Sequence, residues 1–186
     1  MGFANIQSLV LVRHGEGEHN VKGIWSQTAP LTEVGVEQVF QTGKDLLEQG
    51  LSSEKVSVVY VSPMPRTRQT AQALIDSGVI REEQLVFDER LAEIDAGSLE
   101  GEKFRPWGDA DLWDLPFAEE VGGETLAQVR DRIGSFLSEL SKQEFEHHVF
   151  VISHGSPLRE LLGLLGHERI KLNTAEAKII PKPPKH

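Results

Sequence analysis

Two short segments of this 186-residue chain stop at the same kind of dipeptide. "LVLVRHGEGEHN" (9–20) carries Arg13 and His14 behind an apolar run, and "VFVISHG" (149–155) delivers His154 in the same way. An imidazole can attack as a neutral base or donate as a cation, and a guanidinium offers a planar fork that matches phosphate. A third segment, "VSVVYVSPMPRTRQTAQAL", sets Arg66 in the first turn of a helix, where free backbone N–H groups and the helix dipole favour anions. Arg68, further round the same helix, reads as a solvated surface charge. After a fourth apolar run, "ERLAEIDAGSLEG" supplies Glu93, with Asp95 as a second carboxyl nearby. A lone histidine at a turn is more often a satisfied structural residue; the pairing changes that reading. Two histidines, two arginines and a carboxylate, without a GxxxxGK phosphate loop, point to chemistry on a phosphate performed by side chains, with imidazole as the nucleophile.

Bringing these residues together requires a fold that aligns strand ends. Apolar runs at 8–12, 56–61, 85–87 and 149–153 alternate with helical patterns at 32–49, 66–76, 124–142 and 158–165. That order predicts an α/β domain with a mostly parallel sheet, whose ligands bind beyond the carboxyl ends of the strands. Thr32 is suited to cap the helix after "APLT", Ser62 or Thr67 to start the helix that bears Arg66, and Glu93 to sit at a strand end. Leu126, Val129, Ile133, Phe136, Leu137 and Leu140 recur at helical spacing and belong to the core. The stretch 97–123, rich in Pro, Gly, Asp and aromatics, reads as a lid or insertion. An edge strand is expected from Ala175, with 181–186 as a loose tail in which His186 is idle. With no repeats or linkers, one domain over 1–186 is the simplest organisation.

The composition narrows the partners. A net charge of −10, from 29 acidic against 19 basic residues, argues against nucleic acid and anionic membrane surfaces. No cysteine is present, which removes thiolate zinc sites and cysteine nucleophiles. There is neither a signal-peptide pattern nor an apolar run near the ~20 residues of a membrane span, so a cytoplasmic protein is expected.

In order along the chain, "LVRHGE", "PLTEVGVEQ", "YVSPMPRTRQTAQAL", "LAEIDAGSLEG", "GGETLAQVRDRI" and "VISHGSPLRE" resemble the blocks of the histidine phosphatase superfamily, the phosphoglycerate mutase-like family. The resemblance implies a three-layer α/β/α sandwich with a mostly parallel central sheet. It also implies that His14 becomes a transient phosphohistidine, that Arg13, Arg66 and His154 hold the phosphate oxygens, and that Glu93 protonates the leaving oxygen. Asn20 matches the family's substrate-side asparagine and would bond a phosphate oxygen. No cofactor or metal is called for. His14 must be neutral at its attacking nitrogen and fixed at the other, for which a backbone carbonyl near Gly15 is at hand, whereas His154 is free to carry charge as a donor.

Other positions divide between site and scaffold. His19 reads equally as an exposed loop histidine or a substrate contact, Glu16 as structural and Ser26 as substrate-facing; Arg159 reads as loop support. Gly17 stands where the family usually has Thr or Ser. Trp25, Phe104, Trp107 and Trp113 either wall a leaving-group pocket, with Lys103 or Arg105 at its rim, or anchor loops on the core. The short 97–123 segment and "HGSP" in place of the mutases' "HGNS" favour a metal-independent phosphatase acting on a small phosphorylated molecule or a phosphoprotein. A phosphoglycerate mutase-type phosphotransferase and a non-catalytic phospho-ligand module are the alternatives. A metal hydrolase using His14, His19 and His154 fits poorly, because Arg13 would repel the cation.

Overall fold

Uninterrupted apolar runs such as LVLV and VFVI suit strands covered on both faces, because every side chain then meets core. The computed structural model describes residues 6–103 and 117–182 and shows that arrangement. Strands β1 (Ser8–Arg13), β2 (Val56–Val61), β3 (Leu85–Phe87), β4 (His148–Ser153) and β5 (Ala177–Pro181) form one sheet in the order β3-β2-β4-β1-β5. The first four are mutually parallel and β5 joins the edge of β1 antiparallel.

Among the described residues six α-helices accompany the sheet: α1 (Glu18–Lys22), α2 (Glu33–Glu48), α3 (Pro65–Ser77), α4 (Phe117–Glu120), α5 (Leu126–Leu140) and α6 (Gly155–Leu164). Alternate strand residues sort into two cores. Val10, Val12, Phe150 and Ile152 pack with Val39 of α2 and Leu74 of α3, whereas Leu9, Leu11, Val149 and Val151 pack with Phe136 of α5 and Leu161 of α6. Two helices on each face make the expected three layers. Among the described residues, no helix is long and apolar enough to cross a membrane.

Local chemistry sets the helix starts. Thr32 caps α2 by accepting the Gly35 N–H at 2.9 Å, and Thr125 forms a reciprocal capping box with Gln128. Helix α3 departs from the expected start: Met64 is its N-cap with no side-chain cap, and Pro65 supplies the preset φ of the first turn. The Thr67 hydroxyl instead donates to the carbonyls of Ser62 and Met64, each at 2.8 Å. Helix α6 begins at Gly155, three residues earlier than the expected 158, because Pro157 is tolerated in a first turn that needs no N–H there. The edge strand starts at Ala177 rather than Ala175, whose φ of 59° is incompatible with a ladder. Of the 97–123 segment, a single turn at Gly97–Leu99, a bridge from Lys103 to Ile24 and α4 are described. Its middle, with Phe104, Arg105, Trp107 and Trp113, lies outside the described residues, as does His186.

Candidate active site

Register builds the centre of the site. Arg13 of β1 pairs with Ser153 of β4, so the next residue on each strand, His14 and His154, steps off the sheet edge side by side. Their ring centroids are 5.1 Å apart. Ser62 leaves β2 one register position beyond Val61, its N–H bound to the Ile152 carbonyl, and its hydroxyl reaches His154 Nε2 at 2.8 Å. Close backbone contact seats the loop after His14: a Cβ on Gly15 would stand 2.3 Å from the Gly35 carbonyl oxygen, so only glycine lets α2 approach.

The hydrogen bonds fix the protonation of both histidines. His14 Nδ1 lies 2.7 Å from the Gly15 carbonyl, which can only accept, so the proton is on Nδ1 and the Nε2 lone pair is free to attack. Burial, then the Arg66 charge, pushes the His14 pKa well below 6.5, and the Gly15 bond opposes this only in part. His154 corrects the sequence-based expectation of a charged donor. Its Nδ1 accepts from Arg66 Nε–H at 3.1 Å, which places its proton on Nε2, facing Ser62. Complete burial, with Arg66 as the next cause, holds this ring neutral.

Two guanidinium groups complete the cluster. Arg66 is 1% exposed and donates from Nη1 to the Ser26 carbonyl at 2.9 Å as well as from Nε to His154. Arg13 donates from Nη1 to the Leu172 carbonyl at 2.6 Å, while its buried Nε has no partner. Among the described residues neither forms an ion pair within 4.0 Å. Burial lowers the pKa of both, and the Glu93 carboxylate opposes that shift from nearby. Two desolvated cations without a carboxylate partner are costly unless an anion arrives.

Glu93 is not at a strand end. It follows β3 by way of a single turn at Glu89–Leu91 and meets the N-terminus of α6, accepting from the N–H groups of Gly155 at 3.1 Å and Ser156 at 3.3 Å. Beside it opens a cleft of about 500 Å³ between Gln27, Asp95, Gly123, Glu124 and Arg132. Asp95 binds the Gly97 N–H at 2.8 Å as a turn residue.

The remaining candidates have local partners. Asn20 uses its side-chain oxygen to accept the Gly17 N–H at 2.9 Å, which leaves its NH2 end as the donor group. The Ser26 hydroxyl accepts from the N–H groups of Thr28 and Ala29 and so belongs to its own turn; its carbonyl is what touches the site, through Arg66. Trp25 packs half-buried against the core beneath α5 and α6, and Glu16 accepts from the Thr32 hydroxyl at 2.8 Å. His19 is buried and its ring lies 5.4 Å from that of His14. Sequence reasoning missed two groups. Ser62 stands where a third strand end meets the same edge, so the rule that located the histidines would have found it. Lys171, whose stem crosses Gly155, comes from a segment with no regular element and carries no such signal.

The profile of the histidine phosphatase superfamily (branch 1) matches residues 9–176. Phosphoserine phosphatase 1 of Hydrogenobacter thermophilus is 34% identical over 172 residues, covering 85% of this chain and 76% of the relative. The 2,3-bisphosphoglycerate-dependent phosphoglycerate mutase of Sinorhizobium fredii is 30% identical over 172 residues, covering 85% and 79%. The solved structure of open reading frame Rv3214 of Mycobacterium tuberculosis superposes with a TM-score of 0.73 at 27% identity, covering 93% of this chain and 90% of that one. Because the matched span contains Arg13, His14, Arg66, Glu93 and His154, the sheet edge just described lies within the shared part, and the chain belongs to the histidine phosphatase superfamily.

Proposed function

We propose that this protein is a phosphomonoester phosphatase that works through a phosphohistidine on His14 and needs no metal. One observation carries the reading: a buried Arg66 and a half-buried Arg13, neither in an ion pair within 4.0 Å among the described residues, stand beside an imidazole locked with its Nε2 lone pair free. Arg13 and Arg66 supply the positive field that a phosphoryl transition state requires, so the charge stabilisation often given by a metal is already present. His14 Nε2 attacks phosphorus as the ester P–O bond breaks, and the departing oxygen takes a proton from Glu93. The Gly15 carbonyl supports the imidazolium that forms on phosphorylation. The carboxylate left on Glu93 is received by the N–H groups of Gly155 and Ser156. It then takes a proton from the water that attacks the phosphohistidine, and cleavage of the P–N bond restores neutral His14. His154 acts in this scheme by holding Arg66 Nε, and Asn20 by offering its amide N–H to a phosphoryl oxygen.

The test is release of p-nitrophenol from p-nitrophenyl phosphate in EDTA, by wild type and His14→Ala. Turnover that the substitution lowers by orders of magnitude is expected; equal activity in both, or dependence on added metal, would overturn the reading. The relatives named phosphoglycerate mutases give a second reading, transfer to another hydroxyl. Interconversion of 2- and 3-phosphoglycerate faster than release of inorganic phosphate would select it.

A further inference from the structure

We infer that His19 is a further phosphoryl contact, donating from Nε2–H to an oxygen of the group held by Arg13 and Arg66, in space that Gly17 leaves open for its ring. This rests on the phosphatase reading above and adds to it a residue that the mechanism does not otherwise use.

The placement is specific. His19 lies in the single-turn helix α1, is 7% exposed, and sets its ring 5.4 Å from that of His14, tilted by 53°. Its Nδ1 is buried without a hydrogen-bond partner, whereas Nε2 is not among the sealed, unpartnered atoms and keeps contact with solvent. A proton on Nδ1 would be a buried N–H with nothing to receive it, so the proton belongs on Nε2, where solvent or a ligand can accept it. Burial, then the charges of Arg66 and Arg13, lowers the His19 pKa to about 4, so the ring is a neutral donor at ordinary pH. The two guanidinium groups that act on it are those that draw in an anion, and an N–H facing solvent in their field meets the same oxygens.

Gly17 is the second observation. A Cβ there would stand 2.6 Å from His19 Nδ1 and 2.7 Å from its Cε1, so any larger residue displaces the imidazole. A ring kept only for packing gains nothing from a buried nitrogen without a partner; phenylalanine would fill the space without that penalty.

The experiment is calorimetric titration of tungstate, a tetrahedral oxyanion, into wild type, His19→Phe, His19→Gln and Gly17→Ala, with melting temperatures as the folding control. His19→Phe should weaken tungstate by about ten- to a hundred-fold, the range for a hydrogen bond to a charged group. His19→Gln, which still offers N–H, should recover most of that affinity, and Gly17→Ala should lose affinity by moving the ring. His19→Phe binding tungstate within about two-fold of wild type would overturn the inference and leave the phosphatase reading intact. If His19→Phe does not fold, undiminished binding by Gly17→Ala does the same. A wild type with no affinity for tungstate would overturn both.

Discussion

Ser62→Ala should damage this protein more than the loss of one hydroxyl suggests. Ser62 and His154 are both fully buried, with Oγ and Nε2 2.8 Å apart. Arg66 Nε can only donate, so His154 Nδ1 must accept and its proton must sit on Nε2, pointing at Ser62. Without the hydroxyl that N–H is sealed with no acceptor, a penalty of about 1–3 kcal/mol. Moving the proton to Nδ1 gives no relief, because two N–H donors would then face each other across the 3.1 Å contact with Arg66. At about 2–4 °C per kcal/mol for a chain of this size, the melting temperature should fall by roughly 2–12 °C. The effect should reach function as well, since His154 helps to orient the Arg66 guanidinium. Differential scanning fluorimetry with and without tungstate reads both: the variant should melt lower, and the rise in melting temperature that tungstate produces by mass action should shrink. A variant that melts within about 1 °C of wild type and gains as much from tungstate would refute the tautomer assignment and the chain of bonds built on it.

Other consequences follow from the same geometry. Glu93→Gln should lower steady-state turnover of p-nitrophenyl phosphate by about 10²–10⁴-fold, the range for a missing acid–base group. Because nitrophenolate leaves without help, the variant should show a burst of p-nitrophenol and retain acid-labile phosphate on the protein; rapid-quench labelling that finds no phosphoprotein would count against Glu93 as the base. Stability should rise with pH between about 4 and the ordinary histidine range near 6.5, and level off above it, because the unfolded chain then binds protons that buried His14, His19 and His154 refuse. Each histidine can contribute a slope of about 1.4 kcal/mol per pH unit, so urea titrations at pH 5 and 6 that give equal stability would contradict the three neutral rings. Gly15→Ala should abolish activity and sharply reduce folded yield, since its Cβ would meet the Gly35 backbone carbonyl at 2.3 Å and neither main chain can yield cheaply; a soluble, active variant would show that the loop is not clamped against α2.

The parts of this molecule legible in sequence are those whose cause is local. A strand buried on both faces reads as an apolar run, and such a run ends visibly, so "VLVRHG" and "VISHG" announce both the sheet edge and the side chains presented there. Helix α5 declares itself by apolar spacing, and α2 by a threonine with the geometry to cap it. What escapes is set by distant partners or by tolerance. Glu93 acquires its place from N–H groups at Gly155 and Ser156, far along the chain, while the strand before it is only three residues long and gives a poor ruler. The first turn of α6 contains Gly155, Ser156 and Pro157, which read as breakers and are all acceptable where no intrahelical N–H is needed. The charge of His154 depends on which ring nitrogen Arg66 occupies, and no local pattern carries that.

The order of the strands explains why such distant residues make one site. Placing β4 between β1 and β2 puts three strand ends in succession at one edge, and each contributes its next residue: His14, His154 and Ser62. Helix α3 follows β2 closely enough for Arg66 to return to His154, and the loop before β5 lends the Leu172 carbonyl to Arg13. Three neutral imidazoles, two guanidinium groups and Glu93 leave this edge locally positive in a chain whose net charge is −10. Outside the edge the net charge disfavours anions, and inside it, among the described residues, the carboxylates that act on the guanidinium groups, Glu93 first, do so from beyond 4.0 Å. A phosphoryl dianion would supply negative charge that the two guanidinium groups do not find in direct contact. On the phosphatase reading, attraction of a phosphate ester thus begins with the spacing of the carboxylates from the guanidinium groups, before any contact to the leaving group is made.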